Sequence, residues 1–481
     1  MKLHLVFAPP VKKPKQSALP EHVYPPLGIL YLAGYLHKFL PELEIQATDG
    51  LLLGLEGTYN EIIRHSPDIV FISFITPCAQ GAYELARRLK ENAPGRIVVM
   101  GGPHATAIPA EPFEKSPCDI VVCGEGEKTS LELVQALLSG RPLSEVAGLC
   151  WRDNDKVITN QPREFIQDLD EIPFPARDLL ASKEYRGWFV TKKNPETIIL
   201  SSRGCPFDCT FCSNIIWKSS KPWLRLRSPE NIADEIEHLQ KTFSIREFFD
   251  NGDEFNNNIE HATAVCRELI KRDFGVTWKA QLRAHPLPEE LVRLMARAGC
   301  WYVHLGIESG NQRTLDGTQK NITLEQVENA CRLLKKHNIK VFGLFMLYNV
   351  WEEDGHLQYE NTRDTLNTLA FAKGLVSKGL LSYVSSTIAT PYPGSKLYGI
   401  AKKHRLFPPG LDQDWEQWLS GSDFMLRLPG VTEKEASGVY FRASLLRAYC
   451  FLRSGNWKAK DIPLFAGKAL HAIRLKLNSL F

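Results

Sequence analysis

The sequence predicts an α/β protein: an N-terminal doubly wound, Rossmann-like parallel sheet, then a partial (β/α)6, TIM-like barrel, then a helical C-terminal region. Three observations lead there. Two long stretches alternate short apolar, β-branched runs with amphipathic ones, as parallel strands joined by helices do. A proline-punctuated stretch separates the two. And 481 residues exceed what one small core requires, so more than one domain is expected.

The first series runs from residue 1 to about 140. "KLHLVFA", "EIQATD", "DIVFISFIT", "RIVVMGG" and "DIVVCGEGE" read as strands, and their near-continuous apolar character suits burial on both faces. "PLGILYLAGYLHKFL", "AYELARRLKENA" and "TSLELVQALLS" have helical spacing. Ligands of such sheets bind beyond the carboxyl ends of the strands, where the chain places "TPCAQG", "GGPHAT" and "GEGEKT". Gly101, Gly102, Gly124 and Gly126, with Glu125 between the last two, therefore either let a ligand approach the backbone or simply form tight turns. His104 reads as a loop histidine bonded to backbone.

From 141 to 196, "GLCWRDNDKVITN" reads as a hairpin about Asn154 and "LDEIPFPARDLL" as a connector, so a linker is expected. The second series occupies 197 to 400. Its strands are "TIILSSRG", "EFFDNGDEF", "VTWKAQLRA", "YVHLGIESG", "KVFGLFMLYN" and "LSYVSSTIATPYPG". Six strand-helix steps are fewer than a closed eight-fold barrel, which predicts an open one with its site at the carboxyl ends of the strands. Residues 401 to 481 are helical and rich in Trp and basic residues. In the last turns Leu470, Ile473, Leu477 and Leu480 fall at helical spacing beside Lys468, Arg474 and Lys476. That stripe suits a cap on the core or a peripheral membrane contact.

Hydrophobic residues make up 44% and charged residues 23%, and the net charge is +3. Those totals are ordinary for a soluble globular protein and give no reason to expect nucleic acid. "MKLHLVFAPP" reads as a strand rather than a signal peptide, and no run reaches the roughly 18 apolar residues of a spanning helix. A cytoplasmic protein with reduced thiols is expected. Eight of the 11 cysteines (78, 118, 123, 150, 266, 300, 331 and 450) are scattered in apolar settings and read as core residues.

The other three are not scattered. Cys205, Cys209 and Cys212 fall in "RGCPFDCTFC" with the spacing C-x3-C-x2-C. Three thiolates can hold three irons of a cubane cluster and leave the fourth iron open. A structural zinc site would need a fourth Cys or His at a suitable spacing, and none follows closely.

This segment resembles the signature of radical S-adenosylmethionine (SAM) enzymes, with Phe211 matching the aromatic before the third cysteine. "PPLGILYLAGYL", "GGPHAT", "GEGE", "IPFPARDLL", "LGIES", "LLKKHNIKVFGLFML" and "PYPGSKLY" come in the order of the subgroup with an N-terminal cobalamin-binding domain. The resemblance covers residues 1 to about 400. It implies a 4Fe-4S cluster ligated by Cys205, Cys209 and Cys212, with SAM on the open iron, cleaved by one electron to a 5′-deoxyadenosyl radical. It further implies Asp250 or Asp253 near the SAM amino group, Glu308 near the ribose and Arg283 facing the carboxylate. Cobalamin on the first sheet is implied at Gly101, Gly102, Gly124, Glu125 and Gly126.

The implied activity is methyl transfer to an unactivated carbon of a small-molecule or lipid substrate, served by an electron donor such as flavodoxin or ferredoxin. A cyclase or oxidoreductase outcome, and a non-catalytic electron carrier or sensor, are the alternatives. A transfer-RNA methylthiotransferase would need a second cysteine triplet, and Cys78, Cys118 and Cys123 are poorly placed for one. Two departures stand out. "LYNVWEEDGH" replaces a G-x-P-G-E-like turn, and no D-x-H-x-x-G motif offers cobalt an axial histidine.

Overall fold

The computed structural model describes residues 1–11, 24–154, 156–180, 185, 190–411, 414–419 and 424–454. The chain divides into two compact units. One comprises 1–190, 213–227 and 413–419, and the other 191–212, 228–412 and 420–481.

The first unit is built on a seven-stranded sheet of β1 (Lys2–Phe7), β2 (Glu44–Asp49), β3 (Ile69–Ser73), β4 (Ile97–Gly101), β5 (Ile120–Val122), β6 (Leu149–Asp153) and β7 (Lys156–Thr159). The order is β2-β1-β3-β4-β5-β6-β7. The first five strands run parallel, and the order reverses about β1, which lies between β2 and β3. That reversal opens a crevice at the carboxyl ends. The helices Leu27–Phe39, Gly50–His65, Ala79–Asn92 and Gly126–Ser139 connect these strands. Leu3, Leu5, Leu30, Leu36, Ile69, Phe71 and Leu133 form part of the core.

The 149–159 hairpin, expected in a linker, instead extends this sheet. β6 pairs antiparallel with β5, and β7 with β6. Its polar outer residues disguise an edge position, because one sheet face of an edge hairpin is solvated.

The second unit carries β8 (Glu196–Ile199), β9 (Glu247–Asp250), β10 (Thr277–Arg283), β11 (Cys300–Glu308), β12 (Lys340–Leu347) and, after a small hairpin of β13 (Val350–Glu353) and β14 (His356–Tyr359), β15 (Tyr383–Ile388). Its six-stranded sheet has the order β15-β12-β11-β10-β9-β8, all parallel. The sheet is open, with β8 and β15 as edges, as six steps predict.

Helices Pro229–Phe243, Ile259–Arg272, Glu289–Arg297, Leu324–Lys336 and Thr362–Ser377 cover one face. Local chemistry starts them. Ser228 accepts from the Asn231 N–H ahead of Pro229, and Thr323–Gln326 and Asn361–Asp364 form capping boxes. Phe248, Trp278, Ala280, Leu282, Val303, Leu305, Ile307, Val341 and Phe345 alternate along the strands into the core beneath those helices.

Of the C-terminal region, Trp415–Leu419 belongs to the first unit, while the helix Glu433–Ser454 belongs to the second. The apolar stripe from Leu470 to Leu480 lies outside the described residues. No described helix is long and apolar enough to cross a membrane.

Candidate active site

The loop after β8 carries Cys205, Cys209 and Cys212, all half-buried. It is tied down by the rest of its unit. The Thr210 N–H donates to Thr318 O (2.9 Å), the Leu397 N–H donates to Thr210 O (2.9 Å), and the Cys212 N–H donates to Cys209 O (3.1 Å). Lys396 pairs with Asp208 at 2.6 Å. Burial, then the Glu254 and Asp253 carboxylates and Cys212, push the Cys205 thiol up to about 12, against a hydrogen bond from the Phe207 N–H. A bound cation reverses that preference.

Among the described residues no group of three or more His, Cys, Asp and Glu side chains is gathered to hold a single ion. Three thiolates on one loop suit a cluster, in which each would take a different iron.

Around this loop the strand ends present buried polar groups. Arg283, at the end of β10, is 1% exposed. Its guanidinium lies 3.7 Å from the centroid of the Phe207 ring and its Nη1 is 4.0 Å from Glu254. Its Nε and Nη2 have no hydrogen-bond partner among the described residues, nor do Ser202 Oγ and Glu254 Oε2. Buried polar groups are normally hydrogen-bonded, so donors and an acceptor left without hydrogen bonds here fit a zwitterionic ligand with a carboxylate and an ammonium.

Lys320 completes the set, 3.2 Å from Glu308 and 3.4 Å from Glu254. Burial works to lower its pKa, but Glu308, Glu254 and Cys209 outweigh that and shift it upward, so it stays an ammonium. Glu254 (φ 78°) and Glu308 (φ 67°) both sit in the left-handed region, a strain that clusters at functional sites.

The sequence-derived candidates separate. Arg283, Glu308 and the cysteine loop lie together around Glu254 and Lys320, and Asp253 faces Cys205 electrostatically. Asp250 does not face the opening. It is 2% exposed, and it accepts from Ser201 N–H (3.1 Å), Ser201 Oγ (2.6 Å) and Gly252 N–H (3.1 Å). It clamps the β9 turn to the end of β8. Phe211 packs against the core of its unit, and Phe207 is the loop aromatic that meets Arg283. Lys320, Glu254 and Phe207 were not anticipated. Lys320 sits between Gln319 and Asn321, both at positive φ, in a loop with no motif to mark it.

The unusual "LYNVWEEDGH" segment resolves into the β13–β14 hairpin. It leaves at Asn349 and returns at Glu360, whose N–H donates to Asn349 O (2.9 Å). The buried Glu360 carboxylate accepts from Ser309 Oγ (2.6 Å), Asn349 N–H (3.1 Å) and Asn349 Nδ2 (3.0 Å). It thereby braces the turn that follows Glu308.

In the first unit, Gly102 (φ 94°) is a tight turn, since a Cβ there would lie 2.8 Å from Phe74 O. Gly101 and Gly126 are likewise packed, against Val122 O (3.3 Å) and Leu32 Cδ1 (3.0 Å). Gly124 differs: its φ is 77° and nothing lies within 4 Å of where a Cβ would stand.

Glu125 is buried at 7% exposure. It pairs with Arg225 at 3.0 Å and accepts from the Ile166 N–H at 3.0 Å. His104 is 1% exposed and bonded to side chains, not backbone. Its Nδ1 pairs with Thr76 Oγ1 (3.1 Å) and its Nε2 with Glu111 Oε2 (3.3 Å), while Trp415 Nε1 donates to Glu111 Oε1 (2.6 Å). Both ring nitrogens are thus committed, and His104 offers none to a metal.

The carboxyl edge of the first sheet instead shows open space at Gly124 and apolar side chains left partly in solvent, Val11 (38%), Leu53 (46%) and Ile75 (38%). Those apolar side chains and the open backbone at Gly124 would hold a broad planar ring by contact. Seven of the eight scattered cysteines are buried. Cys123 is half-buried with its sulfur 3.8 Å from that of Cys150.

Comparison with known proteins agrees with both halves. The radical SAM superfamily model matches residues 199–357 and the B12 binding domain model matches 18–134. An uncharacterized methyltransferase of Pyrococcus horikoshii is 33% identical over 441 residues, 90% of each chain. An anaerobic magnesium-protoporphyrin IX monomethyl ester cyclase of Rubrivivax gelatinosus is 33% identical over 352 residues, 71% of this chain and 62% of its own.

Among solved structures, the cobalamin-dependent SAM radical enzyme OxsB superposes with a TM-score of 0.71 at 18% identity, over 91% of this chain and 65% of that one. The radical SAM methyltransferase TsrM of Kitasatospora setae gives 0.63 at 20% identity, over 84% and 76%.

Proposed function

Since the chain belongs to the family of radical SAM enzymes with a cobalamin-binding domain, we propose that it is a C-methyltransferase acting on an unactivated carbon. The observation that supports this most is the pairing of one cysteine-bearing loop with the Arg283–Glu254–Lys320–Glu308 network beside it. Cys205, Cys209 and Cys212 would hold the 4Fe-4S cluster, which supplies the electron that cleaves SAM, while cobalamin on the first sheet supplies methyl-carrying chemistry.

The remaining work falls to side chains. Arg283 would offer its Nε and Nη2 to the SAM carboxylate, Glu254 an acceptor to the ammonium, and Glu308 would meet the ribose. Lys320 holds both acids in place through its ion pairs. Asp250 and Glu360 hold the turns that carry them. A small-molecule substrate, a one-electron donor of the flavodoxin or ferredoxin type and a cytoplasmic location belong to the same reading.

A cyclisation outcome is the second reading, supported by the 33% identity to the Rubrivivax cyclase. Product ratios divide the two. Anaerobically reconstituted protein given SAM, cobalamin and reductant is expected to release both S-adenosylhomocysteine and 5′-deoxyadenosine. 5′-Deoxyadenosine alone favours cyclisation, and neither product defeats both readings.

A further inference from the structure

Burial isolates most of the scattered cysteines. The Cys78, Cys118, Cys331 and Cys450 thiols are each pushed up to about 12, chiefly by burial, and a protonated thiol in apolar surroundings is inert. Cys123 and Cys150 are arranged differently. β5 and β6 run antiparallel with Val121 opposite Cys150, and just past the end of β5 the Cys123 N–H donates to Gly148 O (2.9 Å). The two cysteines are therefore diagonal neighbours on one face of the sheet, and their sulfurs stand 3.8 Å apart. Ladder bonds hold the register on which that approach depends.

The surroundings make this pair reactive as well as close. Thr159 stands opposite Cys150 on β7, with its Oγ1 3.5 Å from the Cys150 sulfur. That sulfur thus has two groups beside it able to donate a hydrogen bond. The bond from Cys123 lowers the Cys150 pKa against burial, with help from Thr159, while the same pairing and then burial raise that of Cys123. The thiolate is the form that attacks an oxidant. Access comes from the Cys123 side. Cys123 is half-buried where Cys150 is 3% exposed, and the next residue is Gly124, with nothing within 4 Å of where a Cβ would stand. To reach a bond of about 2.05 Å the sulfurs must turn toward one another while the strands stay in register.

We propose that Cys123 and Cys150 form a redox-modification site, a dithiol that a small two-electron oxidant of the peroxide class closes to a reversible disulfide. The Cys150 thiolate attacks one oxygen of hydrogen peroxide, the O–O bond breaks, and a first water leaves with Cys150 as the sulfenic acid. The Cys123 sulfur then displaces the sulfenic oxygen, which departs as the second water. Both thiol protons end in the waters, the sulfurs lose two electrons, and the peroxide gains them. The new bond ties Cys123, and with it the start of the Gly124–Gly126 turn, to β6. The proposal stands apart from the radical SAM chemistry.

Mass spectrometry tests it without turnover. Reconstituted full-length protein is titrated with hydrogen peroxide up to about ten equivalents, blocked with N-ethylmaleimide and digested without reductant. Peptides joined through Cys123 and Cys150 are expected in most molecules, while the buried Cys78, Cys266, Cys300 and Cys331 stay reduced. Dithiothreitol should return both thiols. Cys150→Ser should yield no joined peptides and leave Cys123 without a partner, with far-ultraviolet circular dichroism verifying that the variant is folded. Three results would overturn the proposal: no joined peptides at the highest peroxide, capture of either residue by another cysteine in place of its neighbour, or a product that dithiothreitol does not reverse. SAM cleavage is measured separately, and its absence would defeat the functional reading instead.

Discussion

Arg283 stacks its guanidinium 3.7 Å from the centre of the Phe207 ring, so one residue of the cysteine loop orients the cation next to it. A planar fork held by an aromatic face keeps two donors aimed in one direction, which an ammonium on a flexible stem cannot do. Arg283→Lys is therefore expected to keep the cluster but weaken SAM binding by about tenfold to a hundredfold, the worth of a charge-assisted bidentate contact. Equilibrium dialysis with SAM checks this, and unchanged affinity would remove Arg283 from the site.

The three cysteines make a sharper prediction. As proposed ligands each would take a different iron, so Cys205→Ala, Cys209→Ala and Cys212→Ala should each lower bound iron and visible absorbance and abolish release of 5′-deoxyadenosine. Iron content with wild-type product release in any of the three would show that residue is no ligand.

Inside the second unit, Lys279 pairs with Glu196 at 2.5 Å and Glu247 at 3.4 Å, all three side chains at 0% exposure. Removing the cation strands two carboxylates in the interior. Lys279→Met should cost about 3–5 kcal/mol, read as a lower urea midpoint. Adding Glu196→Gln should recover part of that loss. A Lys279→Met protein as stable as wild type would show that solvent reaches the triad.

In the first unit the Asp49 carboxyl, which starts the helix after β2, is pushed up to about 6 by burial, against hydrogen bonds from the Leu51 N–H and the Tyr185 hydroxyl. A raised acid pKa means the folded chain holds a proton that the unfolded chain has lost. Stability from this group is therefore full below about pH 4 and lost as pH rises to about 6. Asp49→Asn keeps the capping oxygen without the charge. It should exceed wild type by up to about 3 kcal/mol above pH 6 and converge with it below about pH 4. A gap that does not vary with pH would contradict the burial argument.

Much of this was legible in the sequence because it is local or periodic. The six strands of the second sheet announce themselves by apolar alternation, and Cys205, Cys209 and Cys212 by spacing. Arg283 and Glu308 were reachable through their places at strand ends. What escaped depends on partners distant in the chain. Lys320 has its role only because Glu308 and Glu254 fold beside it. Glu125 sits in a glycine-rich turn that reads alike whether it faces a ligand or, as here, Arg225, a hundred residues on. Asp250 and His104 carry the right chemistry for a site, yet their atoms are committed to Ser201 and Gly252, and to Thr76 and Glu111.

The bond from Glu360 to Asn349 has a wider consequence. Because it closes the base of the β13–β14 excursion, the exposed tip from Glu353 to His356 can change in length or sequence while Val350 and Trp351 stay packed in the interior. This makes the rim a natural graft point. Relatives could differ here in length and reach, and so in what they admit, without disturbing the braces under Glu308.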